Sequence, residues 1–132
     1  MDILLSIKPM FVFCIKRGLK KVELRKKINI NTKRVFVYES APVKKITGYF
    51  DVSRIEEMDI EKLWEETKNI SSVNRSFFDE YFYKKTKGFG IFFEKFIPIN
   101  PLNLNLITKY APQNYLILDK SQVEKIEKNI KL

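Results

Sequence analysis

The chain has 132 residues, 45% of them hydrophobic and 14% aromatic, with 25 Lys+Arg against 16 Asp+Glu for a formal charge of +9. That length and apolar content suit one domain with a real core and exclude a disordered polar chain. There is no histidine and one cysteine, Cys14, which removes Ser-His-Asp and Cys-His catalysis, His- or Cys-based zinc sites and any internal disulfide.

Asp2–Lys8 (DILLSIK) is an apolar run stopped by Pro9, a buried strand leading into a helix with proline in its first turn. Met10–Lys16 is apolar at most positions, then meets Arg17 and a glycine stop at Gly18. Within it, Cys14 reads as a small buried hydrophobe. Lys20–Lys26 (KKVELRK) alternates Val22 and Leu24 inward with Lys21, Glu23 and Arg25 outward, the pattern of a half-buried strand. Arg34–Tyr38 is β-branched and aromatic, a strand broken by Glu39–Val43 with its Pro42. Lys45–Ile55 predicts a longer strand, in which Gly48 marks a bulge or a close backbone approach.

The middle of the chain turns helical. Asp59 is placed to cap a helix with Ile60, Leu63, Trp64 and Thr67 on one face. A second helix after Ser76 carries Phe77, Phe78, Tyr81 and Phe82 at helical spacing, read as core. Gly88–Ile97 is a strand ended by Pro98 and Pro101, and Asn100–Ala111 a loop holding one short helix. Tyr115–Leu118 predicts the last strand, and Ser121-Gln-Val-Glu124 a capping box opening a C-terminal helix over about 121–131. Strands outnumber helices and the early ones have short connections, which argues against alternating parallel βαβ units. The expected fold is α+β, a small mixed or antiparallel β-barrel with flanking helices, in a single domain over residues 1–132.

Charge is unevenly placed. Residues 1–48 carry 12 basic and 3 acidic side chains, residues 49–83 carry 4 and 9, and residues 84–132 carry 9 and 4. Such an excess suits a protein with one face on a polyanion and another in solvent; its plainer use is solubility. The apolar start is interrupted by Lys8 and Pro9, and Cys14 is followed by Lys16, Arg17, Lys20 and Lys21. Neither a signal peptide nor a spanning helix is expected, and the natural setting is the cytoplasm, without a membrane partner.

Several clusters read as structural. Glu56, Glu57, Asp59 and Glu61 suit a solvated helix start rather than a cation site, so no metal is expected. Gly88-Phe-Gly90 is too short for a phosphate-binding glycine loop, and no cofactor is expected. Lys84-Lys85-x-Lys87 is either a phosphate clamp or a basic loop. Phe89, Phe92, Phe93 and Phe96 are candidates for stacking bases, but a regular strand puts Phe89 and Phe93 opposite Phe92 and Phe96, so at least one pair is core. Tyr38, Tyr49 and Tyr115, at strand ends, are further stacking candidates.

The most informative cluster is Gly18-Leu-Lys20-Lys21-Val-Glu23-Leu-Arg25. Alternation along the strand makes Lys21, Glu23 and Arg25 a cation–anion–cation row at steps of about 6–7 Å, with Lys20 at its mouth. A carboxylate between two cations orients them toward a phosphate or a base edge; alternatively the charges only keep neighbours off an exposed edge. A slip of one residue in register would exchange Lys20 and Lys21.

With Leu5-Ser-Ile-Lys8-Pro9 before it, the strand ending at Tyr38, the Ser40-Ala-Pro42 turn, Lys45-Ile-Thr-Gly48, and Ala111-Pro-Gln113 near the end, this pattern resembles the ASCH domain family from about residue 3 to 118. ASCH domains are similar to PUA domains, small β-barrels with flanking helices associated with RNA. The resemblance implies an RNA-binding module whose cleft is formed by Lys8, Lys20, Lys21, Glu23 and Arg25, with Ser40, Lys44 and Lys45 on the rim. It also implies an alternative, a hydrolase acting on RNA or a modified nucleoside, with Lys20 and Glu23 as catalytic candidates. One branch of the family hydrolyses N4-acetylcytidine with a Lys, a Thr and a Glu; another is described as a single-strand ribonuclease. Three places after the motif lysine the amidohydrolase branch has threonine, where this chain has Glu23. A lysine beside a carboxylate suits phosphate binding or charge stabilisation better than general-base work.

Overall fold

The computed structural model describes residues 1–130. β1 (Asp2–Ile7) runs into α1 (Pro9–Lys16), whose first-turn proline lacks only an N–H that has no helical partner there. Gly18, at φ +73°, ends that helix in the left-handed region: its N–H donates to Ile15 O and that of Leu19 to Cys14 O. The chain then turns straight into β2 (Val22–Arg25), followed by β3 (Arg34–Glu39) and the 15-residue β4 (Lys45–Asp59).

Two short helices follow, α2 (Ile60–Thr67) and α3 (Arg75–Tyr81). Asn74 caps α3, its Oδ1 accepting from Phe77 N. β5 (Lys87–Phe93), β6 (Ile97–Asn103), a 3-10 turn (Leu104–Leu106), β7 (Tyr115–Ile117) and α4 (Lys120–Glu127) complete the described chain. No helix among the described residues is long and apolar enough to cross a membrane.

The strands pair in the order β2-β5-β4-β3-β1-β7, with β6 on β4. β4 organises this sheet. Its first half lies between β3 and β6, and its second half, beyond a register shift at Val52/Arg54, pairs with β5. β1 and β3 are parallel, while the other pairs are antiparallel, so the sheet is mixed. Gly48 fulfils both readings of its position: the register shifts beside it, and an added Cβ would meet the Phe96 ring and Ile97 O.

Both faces of β1 are covered. Ile3, Leu5 and Ile7 enter one core with Val12 and Ile15 of α1 and Phe50 and Phe93; Leu4 enters another with Phe36, Ile46, Val123 and Ile126 of α4. A third core joins Val22 and Phe92 to Leu63, Phe78 and Phe82 of the two middle helices.

Several expectations need correction, among them the cap on α2, which Asp59 precedes without making a side-chain hydrogen bond to it. The sheet is α+β and mixed, but its hydrogen-bonded path is open: among the described residues β2 and β7 end the path and are not paired to each other, so it is not a closed barrel. The break expected at Pro98 and Pro101 is instead strand β6, which tolerates both prolines because it lies on an edge. It takes in the first residues of the segment read as a loop, Asn100–Ala111, while the short helix expected there is the 3-10 turn. The C-terminal helix is capped by Asp119 and Gln122, which exchange side-chain and backbone hydrogen bonds, not by Ser121 and Glu124. That helix was expected to reach 131, a residue outside the described ones.

Candidate functional site

A cavity of about 210 Å³ opens between the end of β1, the start of α1, β2 and α3. Its position follows from the open sheet. β2 lies across from the end of β1 without backbone pairing to it, and side chains span the gap. Arg25 Nη2 donates to Ser6 O at 2.9 Å, and Ser6 Oγ donates to Pro112 O at 2.9 Å, drawing in the loop before β7.

Glu23 and Lys20 occupy the floor. Lys20 is 2% exposed and Glu23 6%. Lys20 Nζ donates to Ser71 O at 2.6 Å and lies 3.3 Å from Glu23 Oε1 and 5.0 Å from the centre of the Phe11 ring. Glu23 Oε2 accepts from Arg25 Nε at 3.1 Å and Nη2 at 2.5 Å. Burial alone would push the Glu23 carboxyl up; Arg25 and Lys20 outweigh it by charge and by hydrogen bonding and hold it below its ordinary value. Both carboxylate oxygens are therefore engaged. The unspent groups are donors, the third N–H of Lys20 and the Nη1 amino group of Arg25. Such a floor suits an acceptor.

The walls are aromatic. Phe11 and Phe77 meet edge-to-face at 5.6 Å between ring centres, and Phe78, Tyr81 and Phe82 follow along α3. Of the four α3 aromatics read as core, Phe78 and Phe82 are core, whereas Phe77 is 41% exposed and Tyr81 half-buried. Burial raises the Tyr81 phenol above its ordinary value, and its oxygen accepts from Lys26 N at 3.3 Å.

Beyond Arg25 and Tyr81, which line both, lies a wider trough of about 380 Å³ formed with Lys26, Lys27, Lys85, Gln113 and Asn114. Lys26 Nζ sits 4.8 Å from the centre of the Tyr81 ring. Asn114 Nδ2 donates to Lys27 O at 3.5 Å, tying the loop before β7 to the end of β2.

Of the residues singled out in the sequence, the fold brings Lys8, Lys20, Glu23 and Arg25 into the cavity lining. Lys21, Ser40, Lys44 and Lys45 do not line it. Lys21 and Lys44 are exposed; Lys45 reaches Asn103 on β6; Ser40 N donates to Ile7 O at the end of β1. The register question is resolved for Lys20, the inward residue.

Glu23 is corrected from outward to buried. Alternation along β2 cannot see that α1, α3 and the end of β1 cover the face it shares with Arg25. Phe92 and Phe93 are core, and Phe89 and Phe96 pack against core, so that group is no stacking platform. Tyr38 is buried, Tyr49 packs on Phe36, and Tyr115 packs against the first core. Lys26 and Lys27 were missed, although the run Arg25-Lys26-Lys27 was there to be read. No group of three or more His, Cys, Asp or Glu among the described residues is arranged to hold a metal ion.

No family model matches the chain. A curated protein from Zymomonas mobilis named ASCH domain-containing ribonuclease is 25% identical over 132 residues, spanning 95% of this chain and 89% of that protein. The crystal structure of the ASCH protein from the same organism superposes with a TM-score of 0.91 at 24% identity, over 98% of this chain and 96% of that one. A point mutant of it gives a TM-score of 0.90, also at 24% identity, over the same 98% and 96%. The chain thus resembles ASCH proteins in sequence along nearly its whole length and has their fold.

Proposed function

We propose that this ASCH-type domain binds RNA, holding an unpaired base of a single strand in the aromatic-walled cavity above Lys20, Glu23 and Arg25. The observation that carries the reading is the floor itself: two cations fixed by one carboxylate, with only donors left over, inside an apolar cleft. Preorganised donors in such a place suit a base carbonyl or a phosphate oxygen. Phe77 and Tyr81 at the mouth suit base stacking, and Lys8 on the rim suits a phosphate. Ser40, Lys44 and Lys45 are assigned to outer contacts with a longer strand. The name of the Zymomonas relative supports RNA as the partner.

A second reading, RNA cleavage, is favoured by that same name. Under it Lys20 and Arg25 stabilise negative charge developing on the phosphate, and Glu23, already ionised and doubly paired, positions them rather than taking a proton.

The test is fluorescence anisotropy of labelled single-stranded RNA, with matched DNA, at low and moderate salt. Tight binding that prefers RNA and weakens steeply with salt is expected. Replacing Lys20→Ala and Arg25→Ala together should weaken it by at least about tenfold, with circular dichroism checking the fold and Arg25→Lys as the milder variant. Unchanged binding in a folded double variant refutes the assignment. Sizing the RNA after incubation decides between the readings: Lys20-dependent shortening marks a nuclease, and intact RNA a binding module.

A further inference from the structure

We infer that the trough beside the cleft is a second subsite, a track for the sugar–phosphate backbone of the RNA strand as it leaves the base-holding cavity. The inference rests on the RNA reading above and adds to it a site, a ligand group and a direction.

The two hollows are parts of one groove, because Arg25 and Tyr81 line both. A strand with a base in the first reaches the second by running its backbone over this shared wall. What it meets is cationic. Lys26, Lys27 and Lys85 line the trough, and none of them makes an ion pair among the described residues. Among the described residues, no carboxylate lines it either.

Unpaired lysines occur elsewhere among the described residues too, Lys62 for one, although Arg54, Lys68 and Arg75 pair with glutamates or an aspartate; what sets the trough apart is that three such lysines line one hollow. Lysines gathered in a concave surface without counter-charges repel one another at a cost in stability, and an incoming polyanion removes that cost.

The neutral lining fits the same ligand. With Asn114 Nδ2 turned to Lys27 O, its Oδ1 is left as an acceptor, and the Gln113 amide offers donors and an acceptor oxygen. Ribose hydroxyls, which are donors and acceptors, match them; deoxyribose lacks the 2′ group and matches less well. Lys85 comes from the loop before β5 and Lys26 and Lys27 from the end of β2, so the track is assembled from segments 58 or more residues apart in the chain.

The experiment compares a labelled mononucleotide and a labelled single-stranded RNA octamer on the wild type, on Lys26→Ala/Lys27→Ala/Lys85→Ala, and on a charge-matched control, Lys120→Ala/Lys125→Ala/Lys128→Ala, altered on and just after α4. For the wild type, affinity should rise with length. The trough variant should lose on the order of 10–100-fold on the octamer, with a loss that shrinks toward the mononucleotide, and its log–log salt slope should flatten by about 2, near 0.7 per lost phosphate contact. The control should keep the wild-type slope.

Wild-type octamer affinity and slope in the trough variant would overturn the track while leaving the cleft reading standing. An equal loss in the control would overturn it as bulk charge. A poly-glutamate competitor displacing the octamer as well as unlabelled RNA does would assign the trough to acidic protein instead. No RNA binding by the wild type would sink the RNA reading itself, and the track with it.

Discussion

Two clusters in this molecule are made of the same chemistry and sit in opposite surroundings. At the cavity floor one carboxylate, Glu23, lies between Lys20 and Arg25, all of them buried or half-buried. On the surface beside α2 and α3 one guanidinium, Arg75, lies between Glu61 and Asp79, with both carboxylates exposed. Each cluster holds a glutamate below its ordinary value. Hydrogen bonding from Arg75 is the largest influence on Glu61 and outweighs desolvation there, whereas for Glu23 burial is the largest influence and the two cations must overcome it together. Ion pairs of equal geometry are therefore not equal in consequence. In water, screening and side-chain freedom leave the surface triad little effect; in the interior, removing one member strands a charge.

The largest effect that sharpens the contrast is Glu23→Ala. It leaves Lys20 buried without its anion and should cost about 3–5 kcal/mol of stability in a denaturant titration. Glu61→Ala should leave the midpoint where it was, and a comparable loss at both positions would erase the distinction. Next comes Lys20→Met, which keeps the length of the chain but orphans the buried Ser71 carbonyl; Glu23 retains Arg25, so the cost should be smaller, about 1–3 kcal/mol. That variant should nonetheless lose RNA affinity, which separates stability from binding at one residue.

The smallest effect is on pH. Because the folded Glu23 value lies below 4.5, its contribution is fully present above 4.5 and fades as pH falls through the lowered value. Glu23→Gln should flatten that acid limb when unfolding midpoints are followed from pH 6 downward, as an experimental range. Glu61→Gln should leave it unchanged at moderate salt; an unchanged limb in Glu23→Gln would move the acid sensitivity elsewhere.

Much of the floor was legible before any coordinates. The glycine stop at Gly18, the lysine two places on and the Glu-x-Arg strand announced a helix–turn–strand unit carrying charge, and the fold contains it. What sequence could not show was the side of β2 on which those charges lie. Alternation assigns relative faces, and Glu23 and Arg25 do share one. Whether that face meets water depends on α1 and α3, the latter contributed by residues about fifty positions later. The same limit explains β6. Two prolines argue against a central strand, and only the knowledge that β4 is long enough to need a separate partner for its first half identifies an edge where they are harmless. Lys26 read as the end of a strand and Lys27 was not singled out, because nothing nearby in sequence marks Lys85 and Asn114 as their neighbours.

The open path of the sheet has a further consequence. Between β2 and β1 there is no ladder among the described residues; Arg25 of β2 donates to Ser6 O of β1, Ser6 in turn holds Pro112 in the loop before β7, and the cavity lies along that line. A molecule seated there acts as a clasp, adding ties across a join that the backbone leaves undone. Occupancy and folding are thereby linked: at a ligand concentration a hundred times its dissociation constant the folded state gains about 2.7 kcal/mol. Filled, the groove reports itself as a higher melting temperature, and β2, which borders it and is held by a single ladder to β5, is where amide exchange slows most.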